Sequence, residues 1–446
     1  MRGWLHMTGS FAHGLLLMAR DGQPGAPEQG AQEGVAARKA GLRLLDAVLR
    51  RGQPLESALH AAAQGLRRAD DRGLVHALAA AVLRRLGDLD ALIDSATARP
   101  LPDDAKARMV LRLALAQKLV LGTPDHAAIA TVLPLVEGGP KRLVHGVFGT
   151  LSRRGVSLPE AARVPEAVAA RWEEAWGADA VAAAGLMLAT PPALDLTLAD
   201  PDETEALATR LGGTSLMPGH LRLPRASVPH IEGYGEGRWW VQDIAASLPA
   251  RLIGQGAGRV LDLCAAPGGK TLQLAAAGWE VTALDISQSR LARLSENLAR
   301  TGLSAEIVAA DALDWAPEAP FDAVLLDAPC SATGIFRRHP DVLHRVHPPQ
   351  IAELAALQTR LLARAADWVK PGGLLVYATC SLEPEEGEGQ IAAFLAARPD
   401  YALAPVDPAA LPAGIAAHAP VRTAPGTLLA QGGCDGFFIA PLRRRG

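Results

Sequence analysis

From Val35 onward, apolar residues recur at the spacing of a helix. Leu42, Leu45 and Leu49 fall on one helical face, while Arg43, Asp46 and Arg50 lie elsewhere on the wheel. Segments with the same period run over residues 74–86, 105–120, 126–136 and 141–153, separated by short loops with glycine or proline. The pattern predicts an all-helical domain over residues 34–158. Residues 1–33 read as a flexible tail, because 20–33 are rich in Gly, Pro and Gln. The apolar run 11–19 is short and interrupted by His13, which fits a loose tail better than a signal peptide. Residues 159–240 are mixed. They hold a helical pattern over 164–176, the break Pro191-Pro192, and short β-like pieces at Leu194–Leu198 and His220–Leu223. This reads as a small α+β linker subdomain.

At Arg259 the texture changes. Apolar runs at 260–263, 281–285, 306–309, 323–327, 374–379 and 437–442 alternate with helical segments at 271–277, 288–300, 351–369 and 389–397. Such alternation predicts an α/β domain over 241–446, a mostly parallel sheet with helices on both faces. Ligands bind such sheets at the carboxyl ends of the strands, so the residues there are the candidates for chemistry.

The length of 446 residues allows two or three domains, and an apolar half is enough for real cores. The net charge of -3 gives no general support for a nucleic-acid partner, so such a partner has to be met by local patches. The four cysteines, Cys264, Cys330, Cys380 and Cys434, are far apart with no CxxC pair. That spacing argues against a zinc cluster and a disulfide scaffold, and for free thiols in a reducing cytoplasm. No apolar run approaches the roughly 18 residues that span a membrane. A cytoplasmic monomer without metal or membrane partner is the expectation.

The first strand of the α/β domain ends Asp262-Leu263-Cys264-Ala265-Ala266-Pro267-Gly268-Gly269-Lys270-Thr271. Small residues there let a ligand approach the backbone at a helix start. A phosphate loop needs its first glycine where Cys264 stands, and a G-x-G-x-x-G fingerprint is missing. The next two strands end at Asp285 and Asp311, where carboxylates can accept ribose hydroxyls and an adenine amino group. Three ordered strand-end features point to an adenosine-type cofactor. The following two strands end in Asp327-Ala328-Pro329-Cys330 and Thr379-Cys380-Ser381, so two cysteines border one cleft. A small buried apolar role fits Cys264 and Cys434 better. Methylation of cytosine carbon 5 is a reaction that needs a cleft thiol. Addition of a thiolate to carbon 6 makes carbon 5 enamine-like, and elimination later releases the thiolate. Asp327 is placed to act as an acid near ring nitrogen 3. Strand-end position alone leaves either Cys330 or Cys380 as the nucleophile.

The motifs 261–271, 327–334, 378–381, Arg337-Arg338-His339-Pro340-Asp341, Pro384-Glu385-Glu386 and Asp435-Gly436-Phe437-Phe438 resemble the signatures of the RNA 5-methylcytosine methyltransferases, in order and spacing, over 241–442. The amino-terminal helices, most clearly 37–52 and 124–129, resemble the NusB-like RNA-binding fold. Together they resemble the Sun/Fmu branch of that family, which acts on small-subunit ribosomal RNA. The resemblance implies a Rossmann-like class I methyltransferase domain with a seven-stranded sheet, S-adenosyl-L-methionine as cofactor and RNA as partner. It implies that Cys380 is the nucleophile, that Cys330 releases product and that Asp327 contacts the base. It places the cofactor on Cys264, Ala265, Ala266, Pro267, Gly268, Gly269, Lys270, Asp285, Asp311 and Asp327. Two stretches depart from the family pattern, Ala193-Leu194-Asp195-Leu196-Thr197 and Val342-Leu343-His344-Arg345, both at positions expected to face RNA.

Arg337-Arg338 follow the Cys330 loop and are expected to meet RNA phosphate near a flipped base. Arg84-Arg85, Lys141-Arg142 and Arg153-Arg154 would give the helical domain a basic face, and Arg443-Arg444-Arg445 read as a solvated tail. A methyltransferase on another RNA or on DNA, and a non-catalytic RNA-binding assembly factor, are the other readings. The last predicts a damaged cleft, whereas both thiols, the glycine loop and the carboxylates are present.

Overall fold

The computed structural model describes residues 27–446 apart from Arg225, with side chains from Gly34 onward. The apolar run 11–19 and most of the expected tail lie outside the described residues. The stretch from Pro27 is not a tail but the start of α1 (Pro27–Leu49). Proline at the first helical position loses no intrahelical hydrogen bond, so the glycines and glutamines after it continue the helix.

The chain packs as two compact units divided between Arg163 and Val164. The first is all-helical. After α1 come α2 (Leu55–Ala62), α3 (Ala69–Arg84), α4 (Leu86–Ser95), α5 (Lys106–Leu119), α6 (Asp125–Val132) and α7 (Gly138–Arg153). They share one core that includes Leu44, Leu78, Leu113 and Leu151. Helix α5 is buried on most sides, and its Arg108 and Arg112 are held by carboxylates from α4. Arg112 Nε and Nη2 reach Asp90 at 2.7 and 2.8 Å, and Arg108 Nη1 reaches Asp94 at 2.6 Å. Arg84 and Arg85 are buried, which corrects their expected place on a basic face. Arg85 Nη1 donates to the Pro159 carbonyl at 2.9 Å and pairs with Asp88.

The second unit opens with α8 (Glu166–Trp176) and α9 (Ala178–Ala189). A small antiparallel sheet follows, of β1 (Leu194–Leu198), β2 (His220–Leu223) and β3 (Trp239–Val241) in the order β2-β1-β3, with α10 (Thr204–Leu211) between β1 and β2. Then come α11 (Ile244–Ile253), β4 (Arg259–Leu263), α12 (Gly269–Ala276), β5 (Glu280–Asp285), α13 (Gln288–Thr301), β6 (Glu306–Ala309) and β7 (Phe321–Asp327). The chain ends with α14 (Val342–Arg345), α15 (Pro348–Asp367), β8 (Val369–Thr379), α16 (Glu388–Ala397), β9 (Tyr401–Leu403), β10 (Val421–Thr423) and β11 (Phe437–Arg444).

The main sheet runs β10-β11-β8-β7-β4-β5-β6, with β9 also on β11, making eight strands where seven were expected. β6, β5, β4, β7 and β8 are parallel, and β11 is antiparallel to β8. Three-residue strands β9 and β10 thicken the antiparallel edge. The strands are apolar on both faces, as a doubly covered sheet requires. Leu261, Val324 and Leu326 pack with Leu361 and Leu362 of α15, while Val260, Leu325 and Val376 pack with Ile244 and Leu248 of α11. Strand order reverses at β4, which opens a crevice at the carboxyl ends of β4 and β7. Among the described residues no helix is long and apolar enough to cross a membrane.

Candidate active site

The turn from β4 to α12 is shaped by backbone that few residues adopt. Cys264 sits at φ +61° and Gly268 at φ +108°. A Cβ on Gly268 would stand 2.2 Å from Leu294 Cδ1, so the loop passes α13 only because that side chain is absent. Asp285, at the end of β5, ties the loop down. It accepts from the Ala266 N–H at 3.1 Å and from the Ser287 N–H at 2.9 Å. Asp311 is half-buried after β6 and accepts from the Leu313 N–H at 2.8 Å. The next residue after Asp285, Ile286, is 69% exposed, a large apolar side chain left open at the rim of the crevice. Sequence reasoning passed over it, although an isoleucine directly after a strand-end carboxylate is a readable signal. Asp262 lies fully buried behind the loop. Its Oδ2 accepts from Thr271 Oγ1 at 2.6 Å, and its Oδ1 has no partner. Burial, with Asp327 and Asp285 nearby, pushes its pKa up to about 7.

The carboxyl ends of β7 and β8 bring the two thiols together, with Cys330 Sγ 3.5 Å from Cys380 Sγ. Three loops are stitched to hold them there. The Gly334 N–H donates to the Cys380 carbonyl at 3.0 Å, and the Gly436 N–H to the Gly334 carbonyl at 2.9 Å. Glu386, fully buried, accepts from the Ser331 N–H at 2.9 Å, from the Ser331 hydroxyl and from Gln358 Nε2 at 3.0 Å. Tyr377 OH donates to the Glu386 carbonyl at 2.8 Å. Spacing alone gave Glu386 no such role.

Charge in the cleft is ordered. Asp327 does not stand alone, because Lys270 Nζ donates to its Oδ2 at 2.7 Å. Burial disfavours the Lys270 charge, but Asp327 and Asp262 outweigh it and raise the ammonium pKa. Lys270 and Arg338 both lie near enough to act on the Cys380 sulfur. The Cys330 thiol is pushed well up, first by its contact with Cys380 and then by burial. Burial also pushes up Cys264 and Cys434, which leaves them as inert thiols.

The structure corrects three expectations about RNA-facing residues. Arg337 is 3% exposed and spent on internal partners, donating to Asp243 Oδ2 at 2.7 Å, Asp435 Oδ1 at 3.1 Å and the Gly432 carbonyl at 2.8 Å. Asp243 in turn caps α11 through the Ala245 N–H. Arg337 thus ties α11 to the segment before β11 and is no phosphate contact. Arg338 bonds Asp435 at 2.7 Å but stays partly exposed at the rim. The departure at 193–197 also faces inward. Asp195 is buried and takes Arg222 Nε at 2.6 Å and Nη2 at 2.7 Å. So does the departure at 342–345, where Val342 and Leu343 are buried and Arg345 Nε bonds Asp341 at 2.9 Å.

The family model described as "16S rRNA methyltransferase RsmB/F" matches residues 251–443, and the NusB family model matches residues 35–140. A ribosomal RNA small subunit methyltransferase B from Xanthomonas campestris pv. campestris is 36% identical over 438 residues, 92% of this chain and 98% of that protein. This chain belongs to the ribosomal RNA small subunit methyltransferase B family. A member from Xylella fastidiosa is 37% identical over 432 residues, with 92% of this chain and 98% of that protein covered. The solved structure of PH0851 has the same fold, with a TM-score of 0.67 at 23% identity, over 91% of this chain and 99% of that chain. The helical unit holds the NusB-like domain and the sheet unit the methyltransferase domain. Members of the family are RNA methyltransferases.

Proposed function

We propose that this chain transfers a methyl group from S-adenosylmethionine to carbon 5 of a cytosine in small-subunit ribosomal RNA, through a covalent bond between Cys380 and the base. The observation that carries this reading is the thiol pair, 3.5 Å apart at adjacent strand ends beside the Lys270–Asp327 ion pair.

The β4 crevice fits the methyl donor. Asp285 and Asp311 are carboxylates for ribose and adenine, and Ile286 offers an apolar surface to a flat ring. S-adenosylmethionine supplies an electrophilic methyl group on a sulfonium. Cys264, Ala265, Ala266, Pro267, Gly268, Gly269 and Lys270 form the wall of that site, with Asp285, Asp311 and Asp327 around it.

The two thiols take different roles. The Cys330 thiol, pushed well up by its contact with Cys380 and by burial, keeps its proton. Cys380, facing Lys270 and Arg338, is the sulfur that adds to carbon 6. Once that sulfur is bonded to carbon, the largest cause that held Cys330 protonated is gone. Cys330 can then pass its proton to water, and its thiolate takes the carbon 5 proton as the bond between Cys380 and carbon 6 breaks and the ring double bond re-forms. Lys270, held by Asp327, places positive charge where the ring gains electron density.

Cys380→Ala is expected to abolish methylation while methyl-donor binding survives. Cys330→Ala is expected to leave a protein–RNA adduct on denaturing electrophoresis. Substantial turnover in the first variant, or no adduct in the second, would sink the assignment of roles.

A further inference from the structure

Helix α8 belongs neither to the NusB-like segment, which ends at 140, nor to the methyltransferase segment, which begins at 251. One of its faces is apolar, where Val168 and Trp172 stand a turn apart and are buried. Trp176 extends that face by a further turn. Filling a core needs only the ring. An indole also carries an N–H that has to be met when it is buried. Both indoles of α8 meet theirs on the segment after Cys380. Trp176 Nε1 donates to the Leu382 carbonyl at 2.8 Å, and Trp172 Nε1 donates to Glu383 Oε1 at 3.2 Å.

Glu383 is 1% exposed and stands three residues beyond Cys380. A carboxylate buried there is unfavourable unless donors surround it. Besides Trp172, α8 supplies Arg171, whose Nε reaches Glu383 Oε2 at 3.2 Å and whose Nη2 reaches Oε1 at 3.3 Å. The backbone before Glu383 is fixed residue by residue. The carbonyls of Cys380, Ser381 and Leu382 accept from the Gly334 N–H, from Arg422 Nη1 at 2.6 Å and from Trp176. Trp172 also reaches the loop of the other thiol. Its ring lies 5.4 Å from that of Phe336, which is buried six residues beyond Cys330. One indole thus sits against both loops that carry the sulfurs.

We propose that Trp172 and Glu383 are positioning residues, and that α8 sets the Cys380 sulfur against Cys330 and the base through the joint they form. The proposal rests on the reading of Cys380 as the nucleophile. Neither residue touches a reacting atom, so both act through the loop. A shift of about 1 Å at the sulfur is enough to slow addition ~100-fold. If Trp172 only filled space, phenylalanine would serve as well.

The test uses the full chain with Trp172→Phe, Glu383→Gln and the two combined. Phenylalanine keeps a ring against Phe336 and removes the N–H. Glutamine keeps the shape of Glu383 and removes the charge that Arg171 meets. The probe is a small-subunit ribosomal RNA transcript made with 5-fluorocytidine. Its carbon 5 has no proton to release, so the bond to Cys380 persists. Each single variant should form the adduct roughly 10–100-fold more slowly than the parent, yet reach the same final stoichiometry. On ordinary transcript kcat should fall by the same factor, with KM for RNA and for the methyl donor unchanged. The combined variant should be slowed by less than the product of the single effects, because both break one joint. Single variants as fast as the parent would overturn the proposal. A loss of rate matched by an equal loss of final stoichiometry would also overturn it, since that marks unfolding and not misplacement. A parent chain that forms no adduct would overturn the covalent reading, and the proposal with it.

Discussion

Asp262→Asn should remove a pH dependence that the methyltransferase unit otherwise carries. In the folded chain the Asp262 carboxyl is buried, with one oxygen on Thr271 and the other unpartnered, and its pKa is pushed up to about 7. In the unfolded chain an aspartate titrates near ~3.9. Between those values the native state holds a proton that the unfolded state has lost, so rising pH favours unfolding. The difference of about three units is worth ~4 kcal/mol, of which ~2 kcal/mol is lost between pH 5 and pH 7. The contribution levels off about one unit above the folded pKa. Asparagine keeps an acceptor for Thr271 and buries an unpaired amide at a cost that does not vary with pH. The comparison is therefore one of slopes. Of the eight tryptophans only Trp4 precedes Val164, so tryptophan fluorescence during urea unfolding reports on this unit. From pH 5 to 8 the parent should lose ~3 kcal/mol more stability than Asp262→Asn. Parallel profiles would refute the placement of a protonated carboxyl, with one oxygen unpartnered, behind the loop after β4.

Two further variants probe the cleft. In Gly334→Ala the new Cβ would stand 2.0 Å from the Gly436 carbonyl oxygen and 2.9 Å from that of Cys380, backbone on both sides. The expected outcome is a destabilisation of about 1–3 kcal/mol and, because Cys380 itself is displaced, ~100-fold lower methylation, checked by melting and by methyl transfer to RNA. Arg337→Gln leaves buried Asp243 without its cationic partner, while Asp435 keeps Arg338, and should cost about 3–5 kcal/mol. The surviving folded protein should bind RNA with an unchanged salt slope, since Arg337 faces inward.

The α/β domain was legible because its strands are short apolar runs between amphipathic helices, and because Cys264, Asp285, Asp311, Cys330 and Cys380 fall at their ends. β3, β9 and β10 have three residues each, too few for a pattern of period two. Helix α2 escaped notice because its eight residues make only about two turns, too short for a helical period to stand out. The arginines misled for a different reason. A sequence shows that Arg84, Arg85 and Arg337 are cationic, but not that Arg84 is buried, that Arg85 reaches the distant Pro159 carbonyl or that Arg337 meets Asp243 and Asp435, which the fold brings to it. Glu386 became visible only when Ser331 and Gln358 converged on it.

The central claim is that a single carbon of a single base type is modified through Cys380. Bisulfite sequencing of small-subunit ribosomal RNA tests it most directly, in cells with the gene, without it, and with the Cys380→Ala form. The account predicts a cytosine protected from conversion only where the intact gene is present. The same conversion pattern in all three would contradict it.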